Sequence, residues 1–225
     1  MAKTGRRALT RVAVVTGGHS FDVPNFHGLF RSLHGVDACI QHLDDFASSP
    51  PEVRAGYDVV LFYFYIVKPT VPTDDGLEWF QGKPKSALEA LGASPQGIVL
   101  LHHAILAWPD WDLWKRLVGI DDRAFTYHFD QHVRIEVARP DHSITNGIEA
   151  WEMVDETYGM KGADARSEVL LTCKHPKNIP TVAWTRAHGE SRVFAFQSGH
   201  DNQSWSHPAF REVLRRGILW SARKL

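Results

Sequence analysis

Histidine is over-represented in this chain, with 13 among 225 residues against two cysteines and three methionines. Imidazole changes charge near neutral pH and ligates metals when neutral, so the histidines are where chemistry is to be sought. Three of them follow short apolar runs. His19 lies in Gly17-Gly18-His19-Ser20-Phe21-Asp22, His102 in His102-His103-Ala104, and His200 in Gln197-Ser198-Gly199-His200-Asp201-Asn202, with Trp205 close behind. A fourth polar group, Asp155-Glu156-Thr157-Tyr158, adds two carboxylates and a phenol. Carboxylate, imidazole and phenol together can remove a proton at one atom and return one at another. Three histidines plus a carboxylate also suit a divalent metal, zinc or another transition ion, with His19, His102 and His200 as the expected ligands.

The apolar runs read as strands that must place these groups. Val12–Thr16, Val36–Ile40, Asp58–Tyr65 and Gly97–Leu101 alternate with helical patterns at about Asn25–Leu33, Pro84–Leu91 and Trp108–Leu117. Strand and helix in turn, with strands too apolar to face water, predict a mostly parallel sheet covered by helices on both faces. In such a sheet, ligands bind outside the carboxyl ends of the strands, where the three histidine segments fall. The second half is more β-rich. Val133, Ile135 and Val137 alternate with polar residues, and Glu168–Thr172, Thr181–Trp184 and Arg192–Phe196 are further strands. Phe210, Val213, Leu214, Gly217 and Ile218 form the apolar stripe of a closing helix over Pro208–Ala222. With no linker or repeat, one domain over residues 1–225 is expected.

Composition narrows the functional classes. Lys plus Arg is 25 and Asp plus Glu is 26, giving a net charge of −1 and no global field for nucleic acid or anionic lipid. The longest apolar run, Val59–Val67, is less than half of what spans a bilayer, and Val12–Val15 is too short for a signal-peptide core. Two cysteines make neither a disulfide framework nor a four-thiolate zinc site, and a soluble cytoplasmic protein is expected. The stretch from Gly76 to Lys83 fails as a phosphate loop because Pro84 stands where Ser or Thr should be. No G-x-G-x-x-G follows the first strand, so neither nucleotide nor flavin is expected as a cofactor. H-E-x-x-H, C-x-x-C and G-x-S-x-G are absent as well.

Several stretches together resemble the ThuA-like (trehalose utilisation) family, a branch of the class I glutamine amidotransferase-like fold. They are GGHSFD (Gly17–Asp22), GIVLLHHA (Gly97–Ala104), DETY (Asp155–Tyr158), RVFAFQSGHDNQSW (Arg192–Trp205) and the closing HPAFREVLRRGILWSA, spanning about residues 11–222. The resemblance implies a doubly wound, flavodoxin-like sheet with extra β-rich elements in the C-terminal half, a fold that can form homodimers. Glutaminase relatives carry a cysteine nucleophile in the strand-to-helix turn that here reads Leu101-His102-His103-Ala104, so thioester chemistry is not expected. The chain also has His103 where the family usually has a small residue, and His142-Ser143 in place of a His-Pro pair. The family is linked to breakdown of trehalose and related glycosides through 3-keto sugars, whose acidified C–H permits elimination of the glycosidic substituent. That implies a lyase or hydrolase acting on a small-molecule sugar, the alternatives being a non-catalytic sugar-binding or assembly module and a sugar isomerase or epimerase. His102, Asp155, Glu156, Tyr158 and His200 are then the expected catalytic groups. His19, Asp22, His103 and Asp201 are expected to contact substrate, with Trp108 and Trp205 stacking on the sugar ring.

Overall fold

The computed structural model describes residues 9–68, 70–75 and 83–225; the terminal residues 1–8 and most of the rejected phosphate-loop stretch lie outside them. The order is β1 (Thr10–Gly17), α1 (Val23–Arg31), β2 (Val36–His42), α2 (Leu43–Ser48), α3 (Pro51–Arg54), β3 (Val59–Phe64), α4 (Pro84–Glu89) and β4 (Gly97–Leu101). A 3-10 turn (His102–Leu106), α5 (Asp112–Val118), β5 (Thr126–Val137), β6 (Trp151–Gly159), β7 (Glu168–Cys173), β8 (Thr181–His188) and β9 (Ser191–Phe196) follow, then α6 (Asn202–Trp205) and α7 (Pro208–Ser221).

All nine described strands join one sheet in the order β2-β1-β3-β4-β9-β8-β7-β5-β6. The inner strands alternate between two apolar cores, as a period of two requires. Val12, Val14, Val59, Leu61 and Tyr63 face one core, shared with α1 and α7. Ala13, Val15, Val60, Phe62 and Phe64 face the other, shared with α2, α4 and α5.

The expectation of a mostly parallel sheet needs correcting. The pairings from β2 through β9 are parallel, but those from β9 through β6 are all antiparallel. The cause is connectivity. Only Gly189 and Glu190 separate the His188–Ser191 pair of β8 and β9, and so short a turn can join only antiparallel neighbours. Strands β5 to β8 likewise follow one another without crossover helices. Strand β5 also carries a bulge between His128 and Gln131, with Asp130 at φ 52°, which bends the β5–β6 ribbon.

Helix α7 seats on the sheet through Gly217, where any Cβ would overlap the buried Phe194 ring. Gly217→Ala is therefore expected to cost about 1–3 kcal/mol by overpacking, or about 2–12 °C in Tm for a chain of this size. Gly28, in α1 with nothing near its Cα, gives the opposite expectation: Gly28→Ala should leave Tm unchanged or raise it. Thermal melts of the two variants beside the parent check both signs.

Candidate active site

Three strand ends deliver the histidines. Beyond β1, Gly18 has φ 67°, and a side chain there would overlap the carbonyl of Tyr65. This close passage sets the His19 ring beside His103 and His200, with centroids 4.7 and 5.7 Å apart. Beyond β4, His102 has φ 53°, a left-handed conformation uncommon for a side chain other than glycine. Beyond β9, the His200 loop is pinned from two sides. The Asp155 carboxylate accepts the backbone N–H groups of Gly199 (2.9 Å) and His200 (3.1 Å), and the Tyr63 hydroxyl donates to the His200 carbonyl (2.9 Å). The His102 and His200 rings stand 5.3 Å apart, so the three expected rings do converge.

At the centre lies a buried triangle. Nδ1–H of His102 donates to the Gln197 carbonyl at 2.6 Å, which assigns the lone pair or second proton to Nε2. That nitrogen is 2.9 Å from Glu156 Oε2 and 2.6 Å from the Tyr158 hydroxyl, which itself donates to Oε2 at 2.8 Å. Two lone-pair atoms at 2.9 Å attract only with a proton or another cation between them. Among the described residues, every hydrogen bond to the Glu156 carboxylate ends on Oε2, so Oε1 is left free beside the adjoining cavity. Gln197 locks the arrangement from behind, its side-chain amide donating to the Glu156 carbonyl at 3.0 Å.

Electrostatics separate the roles. Burial alone would raise the Glu156 pKa, but the hydrogen bond and charge of His102, the Tyr158 hydroxyl and His200 bring it below the ordinary carboxylate value. Burial, then the Glu156 charge, pushes the Tyr158 phenol well above its usual range, so it keeps its proton. Burial lowers His19, reinforced by His200 and His102, and lowers His103 further, reinforced by His102 and His19. Both are neutral rings. Nδ1–H of His103 donates to the Phe64 carbonyl at 3.0 Å, leaving a buried Nε2 with no partner; His19 Nδ1 is unpartnered too.

The cavity beside the triangle has a volume of about 230 Å³. His19, His103, Glu156 and Tyr158 supply its polar surface, and Tyr65, Leu106 and Phe125 its apolar wall. Tyr127 and Phe129 form a rim and are 58% and 54% exposed. These aromatics escaped the sequence reading. The signal was present, because Phe125, Tyr127 and Phe129 recur at every second residue and so share one face of an extended segment.

Other expected site residues do different work. Asp155 acts as a strut: both its oxygens accept backbone N–H groups, including that of Glu156 at 3.0 Å, and burial raises its pKa against those bonds. Asp22 caps α1 through Asn25 and binds the Asn202 amide at 2.9 Å. Asp201 caps α6 and lies 3.8 Å from His200 Nδ1. Trp108 is buried among Phe64, Trp111 and Trp114. Trp205 is buried against Phe26 and donates its indole N–H to the Gly199 carbonyl at 2.8 Å. Neither tryptophan reaches the cavity to stack on a sugar; their size and apolar surface draw them into the cores instead. The metal set shifts as well. Among the described residues, the ligand atoms within 4.8 Å of one another belong to His102, Glu156 and His200, with the carboxylate in the place expected for His19.

This architecture defines a glutamine amidotransferase-like α/β fold whose turn after β4 carries His102 and His103. A GMP synthase component from Thermoplasma acidophilum is similar in fold, with TM-score 0.54 and 12% identity over 97% of this chain and 96% of that one. A ThuA-like protein of Parabacteroides merdae gives TM-score 0.72 and 16% identity, covering 95% and 90%. A Salmonella typhimurium protein described as cytoplasmic gives 0.64 and 14%, covering 93% and 98%. The family model for ThuA, trehalose utilisation, matches residues 12–221, and the chain belongs to that family. No curated protein matches it. No helix among the described residues is long and apolar enough to cross a membrane.

If Asp155 is the strut of the site, removing its carboxylate strands three backbone donors, each costing about 1–3 kcal/mol when buried and unpaired. Asp155→Ala is expected to lower stability by more than Tyr63→Phe, which removes a single hydrogen bond to the same loop. Urea unfolding ranks the two. Amide exchange at Gly199 and His200 should quicken in Asp155→Ala; unchanged exchange there would dismiss the strut.

Proposed function

We propose that this chain is a carbohydrate-active enzyme that cleaves 3-keto glycosides, or a related oxidised sugar, by elimination followed by addition of water. One observation carries the reading: an ionised carboxylate with one oxygen clamped and the other open to a small cavity, next to a phenol that keeps its proton. Membership of the trehalose utilisation family supports the substrate class.

In this mechanism, Glu156 Oε1 removes the proton from the carbon beside the keto group. The C–H electrons pass into the enolate and then expel the glycosidic oxygen from the next carbon. Tyr158 O–H protonates the departing alcohol, and its phenolate is re-protonated from solvent through the cavity. The product is an enone, to which water adds while Glu156 returns its proton to carbon; the sum is hydrolysis. His103 and His19, which line the cavity, are the polar contacts for substrate hydroxyls. Tyr127 and Phe129 offer rings to the apolar face of the sugar. The enolate oxygen needs positive charge, and a cation held by Glu156, His102 and His200 would supply it.

Incubation of the purified protein with a 3-keto glycoside, followed by NMR of the products, tests this. The parent chain should release the alcohol. Glu156→Gln should lose about 10²–10⁴-fold in kcat, the usual weight of a positioned acid–base group, with its fold intact by circular dichroism. Tyr158→Phe should lose less where the leaving group is a phenol than where it is a sugar alcohol. Thermal stabilisation by the sugar without product would identify a binding module instead, and an epimerised product an isomerase; either sinks the cleavage reading.

A further inference from the structure

We infer that His102, Glu156 and His200 form a binding site for a divalent transition metal, zinc by ligand type, whose open coordination position faces the cavity. The site coincides with that of the proposed chemistry. The metal's role as electrophile rests on that reading, while its binding does not.

The geometry supplies four arguments. First, His102 is oriented as metal-ligating histidines are: its Nδ1–H is fixed on a backbone carbonyl, Gln197 O at 2.6 Å, which directs Nε2 inward. Second, His200 Nε2 points at the same Glu156 oxygen from 3.9 Å, beyond hydrogen-bond reach, and Nδ1 is 3.8 Å from Asp201. Neither ring nitrogen of His200 has a hydrogen-bond partner among the described residues, although its side chain is only 18% exposed. Third, Zn–N and Zn–O bonds of about 2.0–2.2 Å set two ligands of one ion roughly 3–4 Å apart. The distances here are 2.9 Å from His102 Nε2 to Glu156 Oε2 and 3.9 Å from that oxygen to His200 Nε2. Fourth, the ligands are built in before any ion arrives. Asp155 holds the backbone on both sides, accepting N–H of Glu156 and of His200, and the Tyr158 hydroxyl fixes Oε2.

Two nitrogens and one carboxylate oxygen, with room for a fourth ligand, make the donor set of catalytic rather than structural zinc. Bound there, the ion would polarise a substrate carbonyl and stabilise the enolate oxygen. His19 and His103 lie beyond this set and line the cavity that Glu156 also borders.

The test begins with protein stripped by a chelator and dialysed. Zn²⁺ is titrated by calorimetry, metal content is measured after gel filtration, and Co²⁺ is added as a spectroscopic probe. One Zn²⁺ per chain and visible Co²⁺ absorption of a four- or five-coordinate site are expected. His102→Ala, His200→Ala and Glu156→Gln should each weaken Zn²⁺ at least tenfold. His34→Ala, at an exposed histidine on the opposite end of the sheet, should not. Should the His102 variant fail to fold, the His200 variant, altered only in a loop, and the parent Co²⁺ spectrum still decide. Binding below one equivalent, or binding equally strong in the His200 and Glu156 variants, overturns the site. A protein that binds one metal but turns over no keto glycoside keeps this inference and removes the other; turnover without metal binding does the reverse.

Discussion

The ionised Glu156 carboxylate, nearly closed off from water, is the constraint around which the site is arranged. Desolvating such a group costs several kcal/mol unless hydrogen bonds and a counter-charge meet it. Burial works to raise its pKa, and the groups that bring it down are His102, Tyr158 and His200. Much else follows from that need. His102 must present Nε2 to Oε2, which requires Nδ1–H to be spent elsewhere, and Gln197 accepts it. The same Gln197 binds the Glu156 carbonyl through its side chain, so one residue fixes both partners.

Neither half of the sheet could build this alone. The parallel half aligns the ends of β1, β4 and β9, and therefore brings His19, His102 and His200 to one edge. It contributes no carboxylate to the triangle. The antiparallel half supplies Glu156 and Tyr158 from β6, which is far from β9 in strand order yet joined to its trailing loop through Asp155. The bulge in β5 and the aromatic rim beside it belong to that same ribbon. The groups of the site are thus divided between a set of strand ends and a bulged ribbon of sheet, and a buried aspartate couples the two.

The strand ends were legible in the sequence because fully buried strands read as continuous apolar runs. The Gly97–Leu101 strand matches its expected bounds, and Val12–Thr16 lies within β1. Strand β6 was not recognised as a strand. Its residues Asp155, Glu156 and Thr157 are polar yet buried, because they serve the site rather than the core, and hydropathy cannot distinguish that from an exposed loop. Expected groups such as Glu156, Tyr158 and His103 meet at the cavity, since each sits on an element whose position the fold dictates. Trp108 and Trp205 were misjudged for the opposite reason. Nothing local separates a tryptophan that fills a core from one that lines a cavity, and only the partners Phe64 and Phe26, distant in sequence, decide it. The switch from parallel to antiparallel pairing was hidden too, because the strands of the second half are recognisable but the shortness of their connections shows only in the paired sheet.

The turn at His102 bears on what the fold has kept. A left-handed φ of 53° in a side-chain-bearing residue is unfavourable and persists only where surrounding contacts enforce it. In the glutaminase resemblance read from the sequence, such a turn would serve to expose a sulfur nucleophile. Here neither sulfur is near: Cys39 lies on β2 and Cys173 is buried on β7, and neither lines the cavity. Nor does the His102 ring replace the thiol as a nucleophile, since Nδ1 is committed to Gln197 and Nε2 to Glu156 and Tyr158. The strained turn therefore aims a side chain into the crevice without offering an attacking atom. Such a ring can hold a carboxylate, a proton or a cation in place, and the group it holds here is Glu156, whose Oε1 accepts no hydrogen bond among the described residues and which borders the cavity.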